Sequence, residues 1–166
     1  MSFKNIHLPS FVLAEMYKTD IVSMEANVSP NPSSISFLGD NKKNISIFLN
    51  DEDAVFINDE RLYFLSNILQ ACRLTVADVA IVNIKNQSFI NQQNIVQQLN
   101  PKFILLFDVS LDGIGFAGIA PLYQLQKINN CTVVHAASLN TMLPNTQDAK
   151  IEKSKLWIAL KTMFNI

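Results

Sequence analysis

The chain has 166 residues, of which 49% are hydrophobic and 16% are charged, a balance typical of one globular domain with its own core. Its formal net charge is -1 and its sequence pI is about 6.1, which excludes a strongly basic footprint for nucleic acid over the whole chain. The two cysteines, Cys72 and Cys131, are too few for a disulfide framework or a four-thiolate cluster. No apolar run reaches the ~18 residues of a membrane span, and the N-terminus lacks the apolar core of a signal peptide. We therefore expect a cytoplasmic protein without membrane contact.

The predicted elements begin with an N-terminal arm, residues 1–26, that contains a short amphipathic segment. Pro9 can begin a helix there, because the first helical turn leaves the N–H that proline lacks unpaired anyway. The apolar face of such an arm can enter a groove of a partner protein or pack on the chain's own sheet, and both alternatives stay open. The residues that would make the contact are Phe11, Leu13, Met16, Tyr17 and Ile21. Residues 27–36 hold two prolines and four serines and are predicted to be a linker.

The remaining residues, 37–166, alternate between strand and helix patterns. Apolar runs predict four strands, at 44–49, 79–82, 103–107 and 132–135. Apolar residues at helical spacing predict four helices, at 58–72, 90–99, 119–128 and 150–164. Strands that alternate with helices pair in parallel through right-handed crossovers. The sequence therefore predicts an α/β protein, a three-layer α/β/α sandwich around a four-stranded parallel sheet.

Capping and breaking residues mark the ends of these helices. Asn58 is placed to cap the first helix, with Asp59 and Glu60 at the positive end of the helix dipole. Pro101 ends the second helix, because the residue before a proline resists the helical conformation. In the closing helix, the side chains predicted to point inward are Ile151, Leu156, Trp157, Leu160 and Phe164.

Ligands of open parallel sheets bind beyond the carboxyl ends of the strands. The segments expected to gather there are 50–53, 83–87, 108–113 and 135–138. Asp51, Glu52 and Asp53 can bind Mg²⁺ or activate water, and they can equally form a solvated turn. His135 can be a general acid or a structural histidine, and the spacing of its neighbours supports no catalytic triad.

Residues 113–118, Gly-Ile-Gly-Phe-Ala-Gly, match the G-x-G-x-x-G spacing of dinucleotide-binding loops. That mechanism requires the first glycine directly after a strand and a helix N-terminus that faces the pyrophosphate. Five residues, 108–112, separate Gly113 from the predicted strand, and no acidic residue ends the next strand. A nucleotide-binding module is thus one hypothesis, and an ordinary loop that leads into a helix is the other. The chain has no zinc-site spacing, Walker motif or nucleophile elbow, so we expect neither a metal nor a cofactor.

Three stretches resemble the uracil-DNA glycosylase superfamily. Residues 65–83 run from a helix into a strand that ends at Asn83, as in the superfamily's "gl…edVyitN" pattern. Residues 99–107 are similar to its "i.Pk.Ivl.G" strand, and residues 135–160 to its "HPSyLLr…W..L" ending. The resemblance covers residues 44–164 and implies the superfamily's α/β/α fold with strand order 2-1-3-4.

The catalytic loops of that superfamily are degenerate in this chain. Its "GExPG" loop, which positions the attacking water and admits the flipped base, corresponds to residues 49–54, where no glycine occurs. The proline of its "HPS" loop is missing at 136–138, and Asp108 stands in the place of a glycine. The resemblance therefore implies a vestigial pocket without catalytic residues. The residues of that pocket would be Asn50, Asp51, Asp53, Asn83, His135 and Ser138.

A closer resemblance is to the psi subunits of bacterial DNA polymerase III, a non-catalytic family with the same fold. Residues 13–22 look like that family's arm, 45–51 like its first strand, and 137–157 like its ending. This similarity implies a protein-interaction subunit of the replication machinery, whose arm docks on the clamp loader and whose body holds a chi-like subunit. Contact with DNA would be indirect or weak. The alternative function is a divergent glycosylase that excises damaged bases with Asp51, Asn83 and His135.

Overall fold

A computed structural model describes residues 34–166 of the chain. The predicted arm, with its partner-binding residues from 11 to 21, and residues 27–33 of the predicted linker lie outside the described residues. The end of the linker segment packs on the body, since Ile35 is buried and its N–H donates to Gln98 Oε1 at 2.7 Å. Ser36 donates its N–H to Gln87 Oε1 at 3.1 Å. These two residues therefore form part of the folded body.

The described residues contain five strands and four α-helices. The strands are β1 (Ile45–Leu49), β2 (Val79–Asn83), β3 (Phe103–Phe107), β4 (Leu125–Ile128) and β5 (Cys131–Ala136). The helices are α1 (Asp59–Ala71), α2 (Gln92–Leu99), α3 (Leu139–Met142) and α4 (Gln147–Phe164). Short 3-10 turns precede and follow β2 and follow β3.

The strands form one mixed sheet in the order β2-β1-β3-β5-β4. Strands β2, β1, β3 and β5 are parallel neighbours, and β4 pairs with β5 in the antiparallel direction. The α/β class predicted from the sequence is confirmed. The prediction of a four-stranded, purely parallel sheet is wrong, because the antiparallel β4 adds a fifth strand at one edge.

Strand β4 replaces part of the helix that the sequence predicted over residues 119–128. It forms a hairpin with β5, in which Ile128 pairs with Cys131 across a two-residue turn. The turn is Asn129-Asn130, and Asn129 has a φ of 53°, a left-handed conformation that asparagine tolerates and that short hairpin turns require. Pro121 also lies within the predicted helix. The backbone groups of residues 125–128 thus pair with the otherwise open edge of β5.

Helices cover both faces of the sheet. Strand residues alternate between the faces, as the period of two dictates. Ile47 shares one cluster of buried side chains with Leu65 of α1 and Leu160 of α4. Phe48, its neighbour in β1, shares the opposite cluster with Ile95 of α2. Each of these fully buried apolar side chains stabilises the fold by about 1.5–3 kcal/mol.

The helix ends follow the predicted capping chemistry. The Asn58 side chain accepts a hydrogen bond from the Arg61 N–H at 3.0 Å, which confirms it as the cap of α1. Helix α4 begins at Gln147, three residues earlier than predicted, because the Thr146 side chain accepts a hydrogen bond from the Ala149 N–H at 3.2 Å. Among the described helices, none is both long enough and apolar enough to cross a bilayer.

The buried face of α4 differs from the predicted one. Leu156 and Leu160 are buried as expected, and Phe164 is half-buried. Ile151 and Trp157 were predicted to point inward, yet they are 42% and 37% exposed. The small or flexible residues Ala149, Ala159 and Met163 take the inward positions instead. They lie at helical spacing with Leu156 and Leu160, so the contact with the sheet selects this stripe.

Candidate functional site

The register of the sheet brings the ends of β1, β2 and β3 together at one edge. Leu49 pairs with Asn83 on one side and with Phe107 on the other. Immediately beyond Leu49, Asn50 Nδ2 donates to Asp108 O at 3.4 Å. The Asp108 N–H in turn donates to the backbone oxygen of Ala136 at 3.0 Å. The predicted gathering of polar residues at the carboxyl edge is therefore observed.

Asp51 is the centre of this polar edge, although its side chain is inaccessible to solvent. The residue is 1% exposed. Its Oδ1 accepts the N–H of Asp53 at 3.0 Å, and its Oδ2 accepts the N–H of Asn58 at 2.8 Å. Arg61 Nη1 lies 2.7 Å from the same Oδ2. The carboxylate thus closes the loop between β1 and α1 and holds the first turn of the helix.

The protonation behaviour of Asp51 follows from these contacts. Burial by itself raises the pKa of the carboxyl, because a charge is poorly solvated inside a protein. The hydrogen bonds from Asn58, Arg61 and Asp53 outweigh burial, and the net pKa lies below the ordinary value. A general base works best with a pKa near the operating pH, so a carboxylate with a lowered pKa is a weak candidate for activating water.

Asn83 connects the ends of β1 and β2 from a fully buried position. Its Oδ1 accepts the N–H of Asp51 at 3.1 Å and that of Lys85 at 3.2 Å. Its Nδ2 donates to Asp51 O at 2.7 Å and to Ala54 O at 3.0 Å. A side-chain amide offers two donors and about two acceptor sites. Asn83 therefore has no polar group left for a ligand.

Arg61 belongs to the same cluster and was missed by the sequence argument. Its side chain is only 14% exposed. Besides Asp51 it binds Asn140, whose Oδ1 accepts from Arg61 Nε at 2.6 Å, while Nη2 stands 3.9 Å from the exposed Asp53 Oδ2. A signal was present, because a cation in the first turn of a helix is unfavourable beside the positive end of the dipole. An arginine there indicates an acidic partner.

The other two predicted pocket residues serve separate structural bonds. His135 Nδ1 lies 3.0 Å from Ala120 O, and because a carbonyl only accepts, the ring donates from that nitrogen. Ser138 Oγ accepts the N–H of Asn140 at 3.3 Å and caps the short helix α3. Neither side chain is hydrogen-bonded to Asp51 or Asn83. Asp51, Asn83, His135 and Ser138 thus all engage in structural contacts at this edge.

A second polar contact that the sequence argument missed links the hairpin region to α4. Tyr123 OH donates to Glu152 Oε2 and accepts the N–H of Ala137 at 3.2 Å. Lys155 Nζ completes the group, 2.8 Å from Glu152 Oε1. Burial and the bond to Glu152 raise the pKa of Tyr123 to about 12. No sequence motif announces this contact, because its partners are 29 residues apart.

The glycines of the G-x-G-x-x-G stretch serve turns. Gly115 has a φ of 76°, and a Cβ there would lie 3.0 Å from Asn91 Cα, so only glycine fits beside the start of α2. Gly118 has a φ of 131°. The next regular element is β4, and the predicted helix entry is wrong. This loop therefore lacks the helix N-terminus that a pyrophosphate requires.

An apolar groove lies away from the polar edge, between α1 and α4, and we call it the helix groove. Its volume is about 220 Å³. Its walls include Phe64, Asn67 and Ile68 of α1 and Lys153, Leu156 and Trp157 of α4. Four smaller or shallower grooves also lie on residues 34–166, and neither they nor the helix groove are lined by Asp51, Asn83, His135 or Ser138. These five grooves and the predicted pocket residues do not coincide.

The described residues offer no candidate metal centre, since no three His, Cys, Asp or Glu side chains among them are placed to hold an ion. Cys72 and Cys131 are buried free thiols, and burial raises the pKa of both. A raised pKa disfavours the thiolate that metals and disulfide exchange need. Cys131 donates its S–H to Pro101 O at 3.0 Å, as a packed core cysteine would.

Comparison of the chain with models of known protein families gives no match, and comparison with curated proteins gives none either.

Proposed function

We propose that this protein is a non-catalytic protein-interaction subunit of the DNA replication machinery, similar in role to psi subunits of DNA polymerase III. The observation that carries the non-catalytic part is the state of Asp51. Its oxygens accept bonds from two backbone N–H groups and from Arg61, and the residue is 1% exposed. A carboxylate bound in this way has neither the access nor the basicity to activate water for base excision.

The apolar surfaces of the protein support the interaction part of the proposal. Exposed aromatic side chains are enriched at protein interfaces, and Trp157 and Tyr63 are 37% and 73% exposed. Trp157 lines the helix groove, and Ile158, the residue after it, is 62% exposed. The replicative assignment rests on the resemblance of residues 13–22, 45–51 and 137–157 to the psi family.

Affinity purification of the tagged full chain from its own host, followed by mass spectrometry, tests the proposal. We expect clamp-loader subunits or single-strand-binding protein among the specific partners. A matched variant that lacks residues 1–26 should lose the clamp loader, because the arm is the segment that resembles the family's docking arm. Recovery of no replication protein with either version would contradict the proposal.

An activity assay provides the opposite arm of the same test. The full chain is incubated at stoichiometric amounts with duplexes that carry uracil or hypoxanthine, and the strands are then cleaved at abasic sites. We expect no cleavage above background. Abasic product that disappears in an Asp51→Asn variant would overturn the non-catalytic proposal and establish the glycosylase alternative.

A further inference from the structure

The helix groove is apolar on its floor and carries a positive charge at its rim. Leu156 and Leu160 are buried at its base, and no acidic residue lines it. Lys153 Nζ stands 5.3 Å from the centroid of the Phe64 ring, so the ammonium group leans against the groove wall. The hydrophobic surface and the cation are therefore adjacent.

Lysines extend this charge along α4. Lys150, Lys153, Trp157 and Lys161 follow one another at spacings of three or four residues, so they form one stripe along the helix. Lys161 Nζ lies 5.9 Å from the centroid of the Trp157 ring. Within residues 34–166, none of these three lysines forms a salt bridge. We call Lys150, Lys153 and Lys161 the lysine stripe.

The opposite wall does not neutralise the stripe. On α1, Glu60 precedes Phe64 by four residues and is the acidic residue nearest to the groove along that helix face. Three lysines against one glutamate leave the rim with a net positive charge. Coulomb attraction at such a rim favours an acidic partner and excludes a basic one.

We propose that the helix groove binds an amphipathic helical segment of a partner protein, whose apolar side chains enter the groove and whose Asp or Glu residues meet the lysine stripe. This deepens the proposed function by naming the chemistry of the partner, and it rests on that function for the partner being a protein. A groove of about 220 Å³ is smaller than a typical drug-sized ligand site and suits a few apolar anchors of a helix. Protein surfaces that insert into lipid present a protruding apolar face, whereas this groove is concave.

The chain provides its own reporter of occupancy. Trp157 is the single tryptophan, it lines the groove, and it is 37% exposed. The full chain is titrated with a synthetic helical peptide that has leucines on one face and glutamates on its flanks. A second peptide carries lysines in place of those glutamates. We expect the acidic peptide to shift the Trp157 emission to shorter wavelength and to bind at least about tenfold more tightly than the basic one, with a difference that shrinks as salt rises.

Charge reversal in the lysine stripe sharpens the test. The triple variant Lys150→Glu, Lys153→Glu and Lys161→Glu should weaken the acidic peptide by about tenfold or more. The control reverses two lysines instead of three, Lys102→Glu and Lys127→Glu, which are exposed, lie outside the groove and also form no salt bridge among the described residues. The control should bind like the wild type, and far-ultraviolet circular dichroism verifies that both variants are folded.

Several outcomes would overturn the inference. Equal binding of the two peptides, or binding of neither, excludes an acidic helical partner. If phosphatidylserine vesicles shift the Trp157 emission and neither peptide does, the surface binds lipid. If acrylamide fails to quench Trp157 in the free chain, something already covers the groove. Protection that persists on dilution assigns the groove to another part of this chain, and protection that dilution removes assigns it to a second copy.

The fate of the proposed function can be told apart from that of this inference. If replication proteins copurify equally with the wild type and the triple lysine variant, the groove assignment is rejected and the proposed function is supported. Selective binding of the acidic peptide, without any replication protein in the purification, would support the groove and reject the replicative role.

Discussion

The polar carboxyl edge and the helix groove differ in how fully their chemical groups are used. At the edge, Asp51 and Asn83 direct their hydrogen-bonding groups at neighbouring backbone and at Arg61. In the groove, the Trp157 ring is partly exposed and Lys153 has no anionic partner within the described residues. Groups that are saturated internally stabilise a fold, whereas groups left unsaturated remain free to bind another molecule. The polar residues at the carboxyl edge thus stabilise the fold, and the helix groove, which has fewer polar residues, is the candidate binding surface.

The largest expected effect breaks the polar edge at its centre. Replacing Asp51 by alanine leaves the N–H groups of Asn58 and Asp53 without their acceptor and Arg61 without its buried counter-ion. We expect the free energy of unfolding to fall by about 3 kcal/mol. Urea denaturation followed by circular dichroism measures it. Asp53→Ala is the matched control, because Asp53 is 74% exposed at 3.9 Å from Arg61, and it should change stability by less than about 0.5 kcal/mol. Equal losses in the two variants would refute the role of Asp51.

Asn83 gives the next largest effect. Alanine at this position removes five hydrogen bonds in a site without solvent access, and we expect a loss of about 2 kcal/mol. Asn86→Ala is the control, since Asn86 Nδ2 donates to the same Ala54 O, at 3.1 Å, but is exposed, so that water can replace it. Urea midpoints that move by the same amount in both variants would show that burial does not decide how much these side-chain hydrogen bonds stabilise the fold.

Because Asp51 is ionised, the stability of the fold should depend on pH, by an amount smaller than the loss expected for Asp51→Ala. Because its folded pKa lies below the unfolded value of about 3.9, its contribution is present above about pH 4 and is lost as pH falls through the folded pKa. The stability difference between the wild type and Asp51→Asn should therefore shrink between pH 7 and pH 3. Urea midpoints at several pH values measure this difference. A difference that grows on acidification would contradict the lowered pKa.

Tyr123, whose hydroxyl contacts α4 outside the helix groove, provides a smaller test. Tyr123→Phe removes the bond to Glu152 and leaves the Ala137 N–H without its acceptor, for an expected loss of about 1 kcal/mol. Tyr63→Phe is the control, because Tyr63 is 73% exposed. In alkaline titration at 295 nm, the tyrosine that ionises at about pH 12 should vanish from the Tyr123→Phe variant alone.

The smallest stability effect belongs to the groove and completes the comparison. The triple reversal of the lysine stripe should change the free energy of unfolding by less than about 1 kcal/mol, because side chains that are exposed or half-buried and form no salt bridge contribute little. The same variant should lose about tenfold in affinity for the acidic peptide. A loss of stability as large as that of Asp51→Ala would show that the stripe is structural and would remove the contrast between the two regions.

Much of the fold could be predicted because its signals are local. Apolar runs predicted β1, β2 and β3 to within one or two residues. The unbroken run of β3 is typical of a strand buried on both faces, which needs no polar alternation. The Asn58 cap and the proline at position 101 predicted helix ends, because each acts within one turn of the backbone. The gathering of polar loops at the carboxyl edge followed from parallel pairing alone.

The sequence by itself thus determined the α/β class, most element boundaries and the end of the sheet where polar residues collect. Only the tertiary structure decided that residues 125–128 form an antiparallel edge strand, because the free edge of β5 outweighs a weak helical pattern. It also decided that Asp51 is held by internal hydrogen bonds. Its bond to Asn83 joins residues 32 positions apart, and no local sequence pattern indicates such a contact. Trp157 and Ile151 are exposed for the same reason: which stripe of an amphipathic helix is buried depends on the surface it meets. Contacts between distant segments, rather than local propensity, set which polar groups are used and which apolar ones are left for a partner.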